Sequence, residues 1–272
     1  MTEPRERLDL WLVRHGRVPS RSRAQALIMA GQVRVNGRPE TKSGRLVADT
    51  DQVEVLASLR YVSRGGLKLE RALAAFSIDP RGWEVVDVGA STGGFTDCWL
   101  QHGARRVYAV DVGYGQLHWR LRQDPRVVVL ERTNARDLSL PLLQRTEGLD
   151  GASIDASFIG VRLLLSPLRA CLKLEAGVVA LIKPQFEAGP RWVGKHGVVR
   201  DPAVHRWVLE RVVEDATSLG FQPQALTWSP IKGPKGNIEF LLYLLRTDAG
   251  NEVPLNIDEV VSQAWQMGDQ DA

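Results

Sequence analysis

Apolar positions follow two different rhythms along this chain, and the change falls near Trp83. Before it the elements are short. Leu8, Leu12 and His15 recur at helical spacing, and Ser22 with Gln25 makes a capping box that predicts a second helix running to Gly31. Val33 and Val35 then alternate with polar residues up to Asn36-Gly37, a tight-hairpin signal, and Val53 and Val55 alternate again after Asp49-Thr50-Asp51. Two helices followed by a small sheet make an α+β unit over residues 5–60, although the same stretch also reads as the opening of one larger α/β domain.

After Trp83, apolar runs alternate with helical stretches. The runs Glu84–Val88, Arg106–Val110, Val127–Leu130, Gly151–Ile154 and Gly177–Ile182 have the character of parallel strands buried on both faces. Residues 94–101, 116–122 and 161–172 are expected as crossover helices. A further helix starts at Asp201-Pro202, a cap followed by proline at the first position, and ends near Gly220. Two last strands, Ala225–Trp228 and Glu239–Leu245, have no helix between them and predict an antiparallel pair. That finish belongs to the Rossmann-like class I methyltransferase sheet and not to nicotinamide-binding domains. The expected division is 5–60 for the small unit, 61–82 for a linker and helix carrying Lys68, 83–246 for the α/β domain, and 247–272 for a polar tail whose only apolar pattern lies around Val260 and Trp265.

Composition narrows the class. No apolar run among the 272 residues approaches the roughly 18 needed to span a bilayer, so no membrane partner is expected. Met1 to Arg7 is charged rather than an apolar signal core, which predicts a cytoplasmic protein. Cys98 and Cys171 lie in different elements without the companions a zinc site needs, so both are expected as buried thiols and no metal is expected. A net charge of +3 says little by itself, but its distribution says more. Arg5, Arg7, Arg14, Arg17, Arg21, Arg23 and Arg34 crowd the first unit, an excess suited to a polyanion, although any single one of them is as well explained as a solvated face.

Chemistry gathers at strand ends. Asp87-Val88-Gly89-Ala90-Ser91-Thr92-Gly93-Gly94-Phe95 stands where the first strand gives way to the first helix, the ligand crevice of an open parallel sheet. Asp111 closes the next strand, where a carboxylate can accept both ribose hydroxyls of a nucleoside. Tight helix-on-strand packing also demands glycine, so the turn gains weight only with Asp111. Ser91 stands where a dinucleotide fingerprint wants glycine, and no Gly-Lys-Ser/Thr run exists. S-adenosyl-L-methionine, which needs no pyrophosphate cradle, fits better. Asn134, just past the third strand, is placed either to read an adenine edge or to cap its loop. Asp155 ends the fourth strand, Lys183 ends the fifth, Glu239 begins the last, and Lys68 precedes the first. Lysine is a poor base at its usual pKa of about 10.4, but a neighbouring cation and desolvation lower it, and carboxylates orient it. Two lysines with two carboxylates therefore suit removal of a proton from a weakly acidic hydroxyl. Ordinary surface ion pairs are the alternative.

Five strings carry a family resemblance: Ser63-Arg64-Gly65-Gly66-Leu67-Lys68-Leu69, Asp87 to Asp97, Asp111-Val112-Gly113-Tyr114-Gly115-Gln116-Leu117, Ile182-Lys183-Pro184-Gln185-Phe186-Glu187 and Gly236-Asn237-Ile238-Glu239. In order and spacing, from Arg5 to Arg246, they resemble the TlyA (haemolysin A) family. The resemblance implies an S4-like RNA-binding domain at 5–60 and an FtsJ-like domain that methylates a ribose 2′-hydroxyl of ribosomal RNA, at cytidine, from S-adenosyl-L-methionine. It implies Lys68, Asp155, Lys183 and Glu239 as the catalytic tetrad, Asp87, Gly89, Ala90, Ser91, Thr92, Gly93, Gly94 and Phe95 with Asp111, Asn134 and Asp155 around the cofactor, and the seven arginines with Arg64 on RNA or ribosomal subunits. Ala156 and Gly160 stand where the family usually has valine and serine. Two rival readings stay open: a non-catalytic RNA-binding ribosome-assembly factor, and a membrane-active haemolysin.

Overall fold

A computed structural model describes residues 5–29, 31–55, 60–248 and 253–270, with side chains to 267. The expectations for Met1 to Pro4, for the end of the second helix at Ala30 and for residues 249–252 and 271–272 of the tail lie outside the described residues. The chain divides into two compact units, 1–60 and 61–272.

In the first unit, strand β1 (Glu6–Arg7) leads into helices α1 (Leu8–Arg14) and α2 (Arg21–Met29), then strands β2 (Val33–Val35), β3 (Arg38–Glu40), β4 (Leu46–Val47) and β5 (Val53–Val55). β2 is central, antiparallel to β3 and β5, and β1 pairs with β4. Asn36 and Gly37 both take positive φ, 52° and 76°, the twist a two-residue hairpin requires. Leu8, Leu12, Ala24, Ile28, Val33, Val35 and Val47 form the core. The start of α2 differs from the capping-box expectation. Ser20, two residues earlier, accepts the Arg23 N–H on its Oγ, while Gln25 reaches away to Asp9. Asp9 is fully buried and accepts bonds from Arg7, Arg21 and Gln25, so Gln25 is more valuable there than as a cap.

The second unit is α/β. Its elements are α3 (Gly65–Ala75), β6 (Glu84–Val88), α4 (Gly94–Gln101), β7 (Arg106–Val110), α5 (Trp119–Arg122), β8 (Val127–Leu130), β9 (Leu149–Ile154), α6 (Arg162–Cys171), β10 (Leu172–Ile182), the single turn α7 (Pro184–Glu187), α8 (Pro202–Ser218), β11 (Phe221–Trp228), β12 (Phe240–Arg246) and α9 (Ile257–Gln270). The sheet order is β11-β12-β10-β9-β6-β7-β8, parallel except for β12, which runs antiparallel to both neighbours. The first strand, β6, therefore has β7 on one side and β9 on the other, in register at Val85 with Val107 and Gly151. A crevice opens at such a reversal, above the carboxyl ends of the strands.

Two apolar layers cover the sheet. Leu164, Leu165 and Leu168 of α6 pack with Val204, Val208 and Val212 of α8 on one face, and Leu69 and Leu73 of α3 with Phe95 and Trp99 of α4 on the other. Burying each such side chain contributes about 1.5–3 kcal/mol relative to exposure. Cys98 and Cys171 are both buried and form no disulfide. The stretch read as a polar tail carries a packed helix. α9 buries Val261 and Ala264, and the Trp265 ring N–H donates to His205 Nδ1 of α8 at 3.2 Å. Burial pushes the His205 pKa down to about 4, so the ring is a neutral acceptor for Trp265. The expected helix over 116–122 shrinks to the single turn α5, because His118 caps it with its ring accepting the Arg120 N–H. No helix among the described residues is long and apolar enough to cross a membrane.

Candidate active site

β6 and β9 approach closely just beyond their ends, where the Asp155 N–H donates to the Val88 carbonyl at 2.8 Å. Gly89 makes this possible. Its φ is 83°, and a Cβ there would lie 2.8 Å from the Asp155 carbonyl oxygen. Two cavities flank this contact and share Gly89, Ser91 and Asp155 in their walls. The larger, about 450 Å³, is lined by Ser63, Arg64, Gly65, Lys68, Ala90, Thr92, Gly94 and Phe95, and by residues 231–234 of the loop before β12. The second, about 340 Å³, is lined by Asp111, Val112, Gln116, Asn134, Ser157 and Phe158, among others.

Each expected cofactor residue has a definite place. Asp111 accepts the Ser91 N–H on Oδ2 and the Gly113 N–H on Oδ1, both at 2.7 Å, which fixes its carboxylate at the mouth of the smaller cavity. Asn134 lines the same cavity, and its Oδ1 accepts the Arg136 N–H at 3.1 Å to cap a 3-10 turn, Ala135–Asp137. Asp87 and Gly93 line neither cavity. Asp87 is fully buried, accepting Thr96 Oγ1 at 2.7 Å and Ser153 Oγ at 2.8 Å, and the Trp99 ring N–H in turn donates to Ser153 Oγ. Burial pushes its pKa up to about 6. Gly93, at φ 95°, faces Leu117 and Leu121, and a Cβ there would lie 2.2 Å from a Leu121 methyl carbon. Both belong to the packing beneath the turn.

The four tetrad residues form two ion pairs. Lys183 Nζ lies 2.7 Å from Asp155 Oδ1, 3.0 Å from the Ala156 carbonyl and 3.1 Å from Ser157 Oγ. Lys68 Nζ lies 2.5 Å from Glu239 Oε2. Lys68, Lys183 and Glu239 are buried, and Asp155 is half-buried. Lys68 and Asp155 share the wall of the larger cavity. Sequence reasoning did not single out Ser157 or the 231–234 loop. Ser157 follows the strand end by three residues, a spacing that offers a signal, whereas the loop closes on the site only through tertiary packing.

The basic residues of the first unit separate into two groups. Arg7 and Arg21 bond Asp9, and Arg14 bonds Glu6 at 2.8 Å and Asp49 at 2.7 Å. Against the opposing effect of burial, hydrogen bonds from Arg7, Gln25 and Arg21 hold Asp9 well below the usual carboxylate range. Arg17, Arg23 and Arg34 are exposed and make no ion pair among the described residues. Arg5 is exposed near Asp51, and Arg64 is exposed at the rim of the larger cavity of the second unit.

The FtsJ-like methyltransferase family matches residues 61–246, and the S4 domain matches residues 6–53. The 16S/23S rRNA (cytidine-2′-O)-methyltransferase TlyA of Mycobacterium tuberculosis is 46% identical over 242 residues, covering 88% of this chain and 90% of the relative. Hemolysin A of Brachyspira hyodysenteriae is 42% identical over 88% of this chain and 99% of its own length. A solved structure of a candidate hemolysin from Streptococcus thermophilus, 45% identical, superposes over 99% of both chains with a TM-score of 0.78. The tandem of S4 and FtsJ-like units, with identity of this degree along almost the whole length, places the chain in the TlyA family of FtsJ-like methyltransferases.

Proposed function

We propose that this protein transfers a methyl group from S-adenosyl-L-methionine to a ribose 2′-hydroxyl of ribosomal RNA, at cytidine as in the name of its Mycobacterium tuberculosis relative. One observation carries the reading: each of the pairs Asp155–Lys183 and Lys68–Glu239 sets one member, Asp155 and Lys68, in the wall of a single cavity that the Gly89 turn also lines. Ordinary surface ion pairs would sit in water, where they contribute little. Here three of the four residues are buried.

The residues present fit a nucleoside-bearing methyl donor. Asp111 keeps lone pairs beyond those given to Ser91 and Gly113, and a carboxylate so placed can accept ribose hydroxyls. The Asn134 amide, with its oxygen spent on Arg136, has its nitrogen left to donate to an adenine edge. Gly89, Ala90, Ser91, Thr92, Gly94, Phe95 and Asp155 would surround the rest of the donor. When bound, the donor supplies an electrophilic methyl group on a sulfonium.

This chain's own task is to hold the hydroxyl and receive its proton. Lys183 is aimed by Asp155, Ala156 and Ser157. Once Lys183 has released its ammonium proton to solvent, its amine would accept the hydroxyl proton as the oxygen bonds the methyl carbon and the carbon–sulfur bond breaks, and the Asp155 carboxylate stabilises the ammonium that forms. Lys68, held by Glu239 in the wall of the larger cavity, would present a second cation to the same oxygen. The first unit would grip folded RNA through Arg17, Arg23, Arg34 and Arg5, with Arg64 at the cavity rim. Such contacts position a substrate without reading its sequence. A cytoplasmic location follows from this substrate. Incubation with unmodified ribosomal subunits and S-adenosyl-L-methionine, followed by mapping of 2′-O-methylation, tests the proposal. New methylated cytidines are expected, and subunits left unchanged at high enzyme concentration would refute it.

A further inference from the structure

The string Gly236-Asn237-Ile238-Glu239 brings Glu239 to the site and leaves Asn237 without a role. Asn237 is 3% exposed, and all of its side-chain polar atoms are engaged. Nδ2 donates to the Gly197 and Pro234 carbonyls, both at 3.0 Å, and Oδ1 accepts the Val199 N–H at 3.3 Å. One side chain thus ties the loop after α7 to the loop before β12. The second loop needs tying, because Lys235 and Gly236 are both at positive φ, 59° and 87°. A lysine in that conformation persists only where its surroundings hold it.

What this loop touches is Glu239. A Cβ on Gly233 would lie 2.1 Å from Glu239 Oε1 and 2.5 Å from its carboxyl carbon, so the Gly233 backbone rests directly against the carboxylate. Oε1 is buried and has no hydrogen-bond partner among the described residues, while Oε2 holds Lys68. No hydrogen bond fixes the Oε1 side of the carboxylate, so packing by Gly233 must do so. The Gly233 N–H in turn donates to the Asn237 carbonyl at 2.8 Å.

We infer that Asn237 is a positioning residue that latches the two loops together, presses Gly233 onto Glu239, and so sets the carboxylate that holds Lys68 in the wall of the larger cavity. The inference rests on the methyltransferase reading of that site. Asn237→Asp keeps an acceptor for Val199 but turns an anionic oxygen toward two carbonyls, which opens the latch. Gly233→Ala leaves the latch bonds alone and disturbs the same contact from the other side; its φ of −70° accepts alanine.

The test is single-turnover methyl transfer to ribosomal RNA for the parent, both single variants and the double variant, with amide hydrogen exchange on the same proteins. N237D is expected to slow transfer at saturating RNA and donor by roughly 10²-fold, as small misplacements of catalytic groups do. Affinities for RNA and S-adenosylhomocysteine should stay near the parent's. G233A should be slowed comparably, and the double variant should be no slower than the worse single, since both act on one contact. N237D should also speed exchange at Val199 and Gly233. A parent-like rate in N237D, multiplying defects in the double variant, or unchanged exchange at both amides would each overturn the latch. If the parent itself transfers nothing, the site reading fails and this role falls with it, whereas fast exchange in N237D would show that the loops had still come apart.

Discussion

Asp87 lies beneath the glycine turn with no basic partner among the described residues, and this gives it a pH signature. Its folded pKa of about 6 stands above the value of about 3.9 expected in the unfolded chain, because burial disfavours the anion. The folded state then binds a proton that the unfolded state has released, so this residue's contribution to stability is full below about pH 4 and is lost as pH rises toward 6. The loss is about 3 kcal/mol. Denaturant titrations of Asp87→Asn are expected to lack that fall, giving a variant whose stability relative to the parent improves between pH 4 and 7; parallel curves would show that Asp87 does not titrate there. Asp111 makes the contrasting case. Removing a charged acceptor of ribose hydroxyls costs about 1.5–3 kcal/mol of binding, so Asp111→Ala should weaken S-adenosylhomocysteine about tenfold or more by calorimetry, and parent-like affinity would remove Asp111 from the ribose. Both carboxylates end a strand and both read in the sequence as cofactor residues. Only tertiary structure distinguishes them, because Ser153, 66 positions away, is what draws Asp87 inward.

At the scale of elements, the buried strands were the most legible, since runs such as Val85-Val86 and Val178-Val179 are apolar on both faces and permit little else. Ends were less so. The cap of α2 moved to Ser20 because Gln25 serves Asp9, and α9 was hidden because its apolar stripe is completed by α8 and β11 and not by its own sequence. The arginine cluster shows the same limit. Counting cations cannot tell which are already spent, and Arg7, Arg14 and Arg21 hold their own unit together. Within the proposed RNA-facing set, Arg17 before α2, Arg23 on α2 and Arg34 on β2 are exposed and make no ion pair among the described residues. Their joint replacement by glutamine is expected to weaken RNA binding and to lower the slope of log K against log salt by about 3, roughly one released counterion per lost phosphate contact. Equal slopes for variant and parent would place the RNA elsewhere.

For the molecule as a whole, the proposed function divides the work: the first unit would supply exposed arginines to RNA, and the second the two ion pairs whose members Asp155 and Lys68 line one cavity. The two ion pairs of the proposed tetrad join positions that the sequence singled out, each at the end or start of a strand or on the helix before one, and an open parallel sheet gathers such positions on one side. The roof over Glu239 was not legible in the sequence, since nothing in the spacing of Gly233 and Asn237 announces a contact made only when two loops meet. In the proposed reaction the deciding group is Lys183. Single-turnover methyl transfer to unmodified ribosomal RNA, at saturating RNA and donor, should be at least about 10²-fold slower in Lys183→Ala, the usual scale for losing a positioned acid–base group. Affinities for RNA and for S-adenosylhomocysteine, measured on the same preparations, should stay close to the parent's. A variant that binds both and still transfers methyl groups at near the parent rate would contradict the account.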